Sequence, residues 1–354
     1  MSLSIQENVS LAELTTLKIG GRACFFASAK RESEVVEALN FAEQNNLETF
    51  VLGGGSNVLI ADKGFNGLVL QVALKGISTA QKKDGIVDVT AYAGEDWDAF
   101  CRFCVEKKLQ GVECLSGIPG YTGGTPVQNV GAYGQEVSET ITTVRCYDRK
   151  NKEFVELSNA ECSFAYRTSI FNTTEKKRYI VTAVTFALKF GGEPKILYRD
   201  LKNYFGDAKP NLEETRRAVL AIRAEKSMVI NAEDPNSRSA GSFFKNPIVA
   251  KAKFAEIEKL AQKIGLQGVP SFDFDEKNVK IPAAWLIENS GFGKGYEFGR
   301  VGLSTKHTFA IVNRGGATAE DVLSLKNLIQ AKVKEKFNVE LKPEPILVGD
   351  LTNL

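Results

Sequence analysis

The chain has 354 residues, with 45 Lys plus Arg against 43 Asp plus Glu, so the formal net charge is +2. Apolar residues at 43% and charged residues at 25% exclude disorder as the main state, and the length fits two or three domains of ~150 residues. Near-neutrality argues against bulk attraction to nucleic-acid phosphate but leaves room for a small anionic ligand held by local cations, while a single histidine, His307, excludes a zinc centre of clustered histidines.

The first elements read as strand Cys24–Ala29, a helix capped by Ser33 with Val35, Val36, Leu39 and Ala42 inward, and strand Thr49–Leu52. This βαβ unit runs into Gly53-Gly54-Gly55-Ser56-Asn57, and a glycine turn at a strand end is a natural ligand position. Strands are expected at Val58–Ile60, Gly67–Val72 and Ile86–Ala93. A helix over 95–108 follows, with Trp97, Phe100, Cys101, Cys104 and Val105 on one apolar stripe. Cys101 and Cys104 have the spacing of a redox or metal pair, but the stripe makes them core residues, and no metal site is expected.

Segment 111–134 holds seven glycines and almost no periodicity. Further strands are expected at Thr142–Asp148, Glu153–Leu157 and Tyr179–Phe190, then a polar linker or lid over 191–212. Helices follow over 213–226, 250–264 and 282–288, with a strand at Phe309–Asn313. The last helix opens on Thr318 with Asp321 three residues later, a capping-box pattern, and carries Val322, Leu325, Ile329, Val333 and Phe337 on its apolar face. No apolar run reaches the ~20 residues of a membrane span, and residues 1–10 lack a signal-peptide pattern, so a cytoplasmic chain without membrane contact is expected.

The Gly53–Gly55 turn resembles the start of a dinucleotide fingerprint, but Gly64 and Gly67 follow too soon for the helix that should face a pyrophosphate. A backbone nest or a plain tight turn remains. The second cluster, Ser116 through Gly134, changes the balance, because a long structureless run is costly to order unless it serves a site. Its glycines permit close backbone approach, and Thr125, Gln128 and Asn129 offer directional hydrogen bonds. A long, flat cofactor fits that lining better than a single phosphate.

Leu17-Lys-Ile-Gly-Gly21, Gly53-Gly-Gly-Ser-Asn57 and Ile118-Pro-Gly120 through Pro126-Val-Gln-Asn129 to Gly131-Ala-Tyr-Gly134 resemble the flavin motifs of the UDP-N-acetylenolpyruvoylglucosamine reductase family. The resemblance continues through Tyr166-Arg167, Ala240-Gly-Ser242-Phe-Phe-Lys-Asn246-Pro247 and Asn338-Val-Glu-Leu-Lys-Pro-Glu344, covering essentially the whole chain. One departure is Thr15-Thr16-Leu17, where the family has Asn-Thr-Phe. The family implies an α+β fold: a two-lobed FAD-binding domain of the vanillyl-alcohol-oxidase type and a C-terminal substrate-binding domain. Lobes are expected at 1–72 and 73–205, with a tyrosine loop near 191–205, and the substrate domain at 206–354.

The resemblance implies non-covalent FAD, NADPH as co-substrate, and UDP-N-acetylglucosamine enolpyruvate as the molecule reduced, by a monomer. Arg167 matches the family's cation at the substrate carboxylate, Ser242 its proton donor and Glu344 its acid at the enolic centre. FAD contacts are implied for Gly53, Gly54, Gly55, Ser56, Asn57, Ser116, Ile118, Pro119, Gly120, Gly123, Gly124, Thr125, Gln128, Asn129, Gly131, Ala132 and Tyr133. Substrate contacts are implied for Tyr166, Tyr198, Lys226, Lys245 and Asn246, Tyr198 lying on a loop that one branch of the family carries. Two alternatives stand beside this reading: another FAD-dependent oxidase or dehydrogenase of the same fold class, and a non-catalytic nucleotide-sugar sensor.

Overall fold

The computed structural model describes residues 3–351 and divides into two compact units, one of Met1–Val9, Ala23–Gly55 and Asn66–Val229, the other of Ser10–Arg22, Ser56–Phe65 and Ile230–Leu354. The units cut the chain differently from three successive segments. Residues 206–229 pack with the first unit, while two short N-terminal stretches join the second.

The first unit contains a four-stranded sheet in the order Ile5–Ser10, Arg22–Ala29, Phe65–Val72, Glu48–Leu52. Its second sheet runs Glu153–Ser158, Ile141–Asp148, Tyr179–Phe190, Ile86–Tyr92, Ile77–Gln81, with Leu109–Gln110 pairing the end of the long central strand. Helix α1 (Glu32–Gln44) starts one residue before the expected cap Ser33. Its N-cap is Arg31, without a side-chain capping bond, and Glu34 instead ties the first turn to the residue before the cap by accepting from the Lys30 N–H at 2.6 Å.

Helix α2 (Trp97–Glu106) is capped by Asp96, which accepts from the Ala99 N–H at 2.8 Å. Its stripe is the core: Trp97, Phe100, Cys101 and Cys104 are at most 1% exposed. The Phe100 ring meets Phe186 at 4.9 Å, and Trp97 meets both within 5.8 Å. Each such side chain contributes about 1.5–3 kcal/mol by leaving water. Burial pushes the Cys101 and Cys104 thiols well up, so they remain unreactive core residues as their spacing on the stripe implies.

The linker stretch conceals a helix. Helix α3 (Arg199–Phe205) buries only Leu201 and stops at Gly206, whose N–H closes onto the Lys202 carbonyl. One buried residue in seven leaves no periodic signal. Helix α4 (Leu212–Glu225) opens with an Asn211–Glu214 capping box; of Val219, Leu220 and Ile222, which its pattern puts inward, it buries Val219 and Ile222 but leaves Leu220 half-buried, and it also buries Arg216 and Arg223.

The second unit holds helices α5 (Lys251–Lys263), α6 (Ala283–Glu288) and α7 (Ala319–Phe337) around one apolar cluster. Helix α7 starts in the expected box between Thr318 and Asp321, and the Asp62 carboxylate adds bonds to the Ala319 and Glu320 N–H groups at 2.8 and 3.2 Å. The C-terminal strand Ile346–Val348 pairs in parallel with Val58–Ile60. Replacing Thr318 by Ala removes one of these capping acceptors and should cost about 1 kcal/mol, read as a lowered urea midpoint with an unchanged slope.

Candidate active site

In the first unit the two glycine loops meet backbone to backbone. A Cβ on Gly54 would lie 2.7 Å from the Gly120 Cα and 3.1 Å from the Tyr121 nitrogen, so no side chain fits at 54. The 116–134 segment is ordered by its own polar groups. Ser116 Oγ donates to the Glu113 carbonyl at 2.7 Å, and Thr125 Oγ1 donates to the Thr122 carbonyl at 2.8 Å. Asn129 donates to Glu136 and to the Ala165 carbonyl, and accepts from the Ser138 N–H. These three side chains therefore shape the loop, leaving backbone groups to face a ligand. Asn129 (φ 44°) and Tyr133 (φ 49°) sit in the left-handed region, which asparagine tolerates but a bulky tyrosine does not favour, so Tyr133 marks a segment held by its surroundings.

Arg167 occupies the tip of a tight turn closed by paired Ala165 and Thr168 backbone bonds, also in the left-handed region at φ 52°. Its guanidinium donates to the carbonyls of Gly131 (2.6 Å) and Asn129 (3.3 Å) and lies 5.4 Å from the Tyr166 ring centre. Arg167 is thus mounted directly on the glycine-rich segment. Tyr198, at the start of α3, places its ring edge-on to Tyr133 with centres 5.5 Å apart. Lys226 Nζ is ion-paired with Asp200 on the same short helix.

Buried charges that the sequence did not reveal support this segment. Asp98 accepts from the Gly117 N–H at 2.6 Å and takes both prongs of Arg216 at 2.6 and 2.8 Å. Although burial raises the Asp98 pKa, those bonds hold it below the ordinary carboxylate value. Glu113, fully buried, accepts from Gly111 N–H, Gln135 Nε2 and the Lys195 N–H, so it fastens the linker before Tyr198 to the loop. The available signal was a charged residue breaking an apolar face: Arg216 and Arg223 alternate with Val219 and Ile222 along one side of α4.

In the second unit, the buried pair Phe243 and Phe244 anchors the irregular segment that carries Ser242. The Phe243 N–H donates to the Phe309 carbonyl at 2.7 Å, and the Glu344 N–H donates to the Phe243 carbonyl at 2.9 Å. The C-terminal segment thereby brings Glu344 to the residue after Ser242. Asn57 joins them, donating to the Glu344 carbonyl at 3.4 Å while its own carbonyl accepts from Ile346. Lys245 follows on the same segment, its N–H on the Lys342 carbonyl. Asn246 Oδ1 accepts from Ala283 N–H at 2.8 Å and so caps α6. Where the sequence departs from the family motif, Thr15 Oγ1 bonds the Ala12 and Ile19 carbonyls and Thr16 Oγ1 bonds the Ser239 carbonyl at 2.7 Å, three residues before Ser242.

These features match known proteins. The model of an FAD-binding domain matches residues 24–158, and that of the UDP-N-acetylenolpyruvoylglucosamine reductase C-terminal domain matches residues 234–348. The chain is 44% identical to the UDP-N-acetylenolpyruvoylglucosamine reductase of Thermobifida fusca over 99% of both sequences. It is 46% identical to that of Streptomyces coelicolor, covering 96% of this chain and 89% of the relative. The chain belongs to the UDP-N-acetylenolpyruvoylglucosamine reductase family. The reductase of Thermus caldophilus shares the fold, with a TM-score of 0.66 at 24% identity over 98% of this chain and 100% of that one.

The residues present fit the FAD that this family carries. A Cβ on Gly124 would meet nothing within 4 Å and one on Gly53 only the Tyr121 Cβ at 4.0 Å, so open space borders both loops, and the buried Arg223 Nε, without a partner among the described residues, lies near Gly117. Gly54→Val should force the loops apart and lower FAD affinity at least about tenfold, measured by flavin fluorescence quenching, while the far-ultraviolet circular dichroism spectrum stays as in the parent.

Proposed function

We propose that the chain reduces UDP-N-acetylglucosamine enolpyruvate to UDP-N-acetylmuramate with NADPH, as a monomeric cytoplasmic enzyme of peptidoglycan precursor synthesis. The observation that carries this reading is the seat of Arg167, whose fork is fixed by the Asn129 and Gly131 carbonyls of the flavin motif. FAD, when bound, would supply the hydride-transfer chemistry between NADPH and the vinyl carbon of the substrate.

The chain's own residues supply everything else. Arg167 faces the substrate carboxylate with a permanent charge, stabilising the enolate-like electron density that develops beside it. Ser242 donates the proton to the neighbouring carbon. A serine hydroxyl is a weak acid, so this transfer works only toward a strongly basic carbon, and Glu344, whose N–H bonds the Phe243 carbonyl, is read as supporting it. The backbone of Gly53–Asn57 and of Ser116, Ile118–Gly120, Gly123–Thr125, Gln128, Asn129 and Gly131–Tyr133 holds the cofactor. Tyr166, Tyr198, Lys226, Lys245 and Asn246 receive the substrate, with Asn246 acting through what its capping bond leaves available. The Asp200 carboxylate holds the Lys226 ammonium until the substrate diphosphate takes its place.

An anaerobic titration tests the reading: NADPH should bleach the flavin, and UDP-N-acetylglucosamine enolpyruvate should restore its colour. Bleaching without substrate-dependent recovery sinks the assignment. Ser242→Ala should leave bleaching within about twofold of the parent and slow recovery at least about a hundredfold. Equal loss of both half-reactions would make Ser242 structural. His307 is stacked on Phe309 with ring centres 3.9 Å apart, in the second unit. The flavin is therefore read as non-covalent, and acid precipitation should leave all yellow colour in the supernatant.

A further inference from the structure

Helix α4 turns two buried arginines, Arg216 and Arg223, toward the glycine-rich segment. They are not equivalent. Arg216 is neutralised by Asp98, which takes both of its prongs. Arg223 is 5% exposed and has no carboxylate within ion-pair distance among the described residues. Its Nη2 donates to the Met228 carbonyl at 2.8 Å, and its side chain hydrogen-bonds the Tyr133 phenol. Its Nε has no partner among the described residues and lies 3.2 Å from where a Cβ would stand on Gly117, a residue at φ +73°. Glycine at 117 is thus what admits the guanidinium to this place. A buried cation without a counter-ion is expensive, and a fold retains one where an anion is to be held or formed.

We propose that Arg223 is a positioning residue for the cofactor whose fixed charge raises the reduction potential of the bound flavin. The inference rests on the reading that segment 116–134 holds the flavin. Two-electron reduction with uptake of one proton leaves the ring system one unit more negative. A guanidinium buried against the same segment favours that state, because the low local dielectric screens it little. Arg216, already paired, contributes little of this field; of the acids, Asp98 acts electrostatically on Arg223 and Asp200 on the neighbouring Tyr133.

The test is a redox titration of the holoenzyme, of Arg223→Gln and of Arg223→Lys against a dye of known potential. Bound FAD in the parent should be more easily reduced than free FAD. Arg223→Gln should shift the reduction equilibrium at least about tenfold toward oxidised flavin, about 30 mV for a two-electron couple, and Arg223→Lys should recover most of the shift. An unchanged potential in Arg223→Gln overturns the proposal. If that variant does not retain FAD, the parent alone decides, since a bound potential at or below that of free FAD also overturns it. Gly54→Val separates the two readings. If Gly54→Val loses flavin while Arg223→Gln keeps the parent potential, only the role of Arg223 fails. If Gly54→Val binds flavin like the parent, the placement of the cofactor fails.

Discussion

The closeness of two backbones governs the first unit. Gly54 and Gly120 touch without a side chain between them, and every nearby residue serves to keep that approach in register. Asp98 holds the Gly117 amide, Ser116 and Thr125 tie the loop to its own carbonyls, and Asn129 bridges to Glu136 and Ala165. Because loop ordering costs about 1–2 kcal/mol per residue in backbone entropy, such a segment persists only when many bonds share the load. Here those bonds come from elements that the core already fixes, chiefly α2 and α4.

The same economy explains the charges inside the unit. Glu113 and Arg216 are held away from bulk water yet engaged by donors or acceptors, Arg216 by the half-exposed Asp98, which offsets the desolvation they suffer. Each also connects stretches distant in sequence: Glu113 reaches Lys195, and Asp98 reaches Arg216. Their role is geometric. They transmit the rigidity of the helices to loops that have no periodic structure of their own.

Much of this was legible in the chain. The apolar stripe of α2, the capping box of α7 and the strands at 58–60 and 179–190 follow from period and local chemistry alone. The glycine loops announced a site because their length and composition make no sense as connectors. The rest was hidden for physical reasons. Helix α3 buries a single residue, so polarity masked it. The buried ion pair of Asp98 and Arg216 joins positions 118 residues apart, and no local pattern encodes such a partnership. Ser242 and Glu344 looked like a loop residue and an exposed acid until family motifs singled them out; their proximity comes from backbone bonds across a hundred residues.

The parallel pairing of Ile346–Val348 with Val58–Ile60 has a consequence for biogenesis. During synthesis the stretch Ser56–Phe65 leaves the ribosome early, but its partner strand is among the last residues made, and domains generally fold as units. The second unit therefore cannot finish until nearly the whole chain is available, and Asn57, at the rim of the first glycine loop, receives its bond from Ile346 only then. A nascent chain can build the sheets of the first unit long before this, so it passes through a stage with one unit formed and the Gly53–Asn57 motif half anchored.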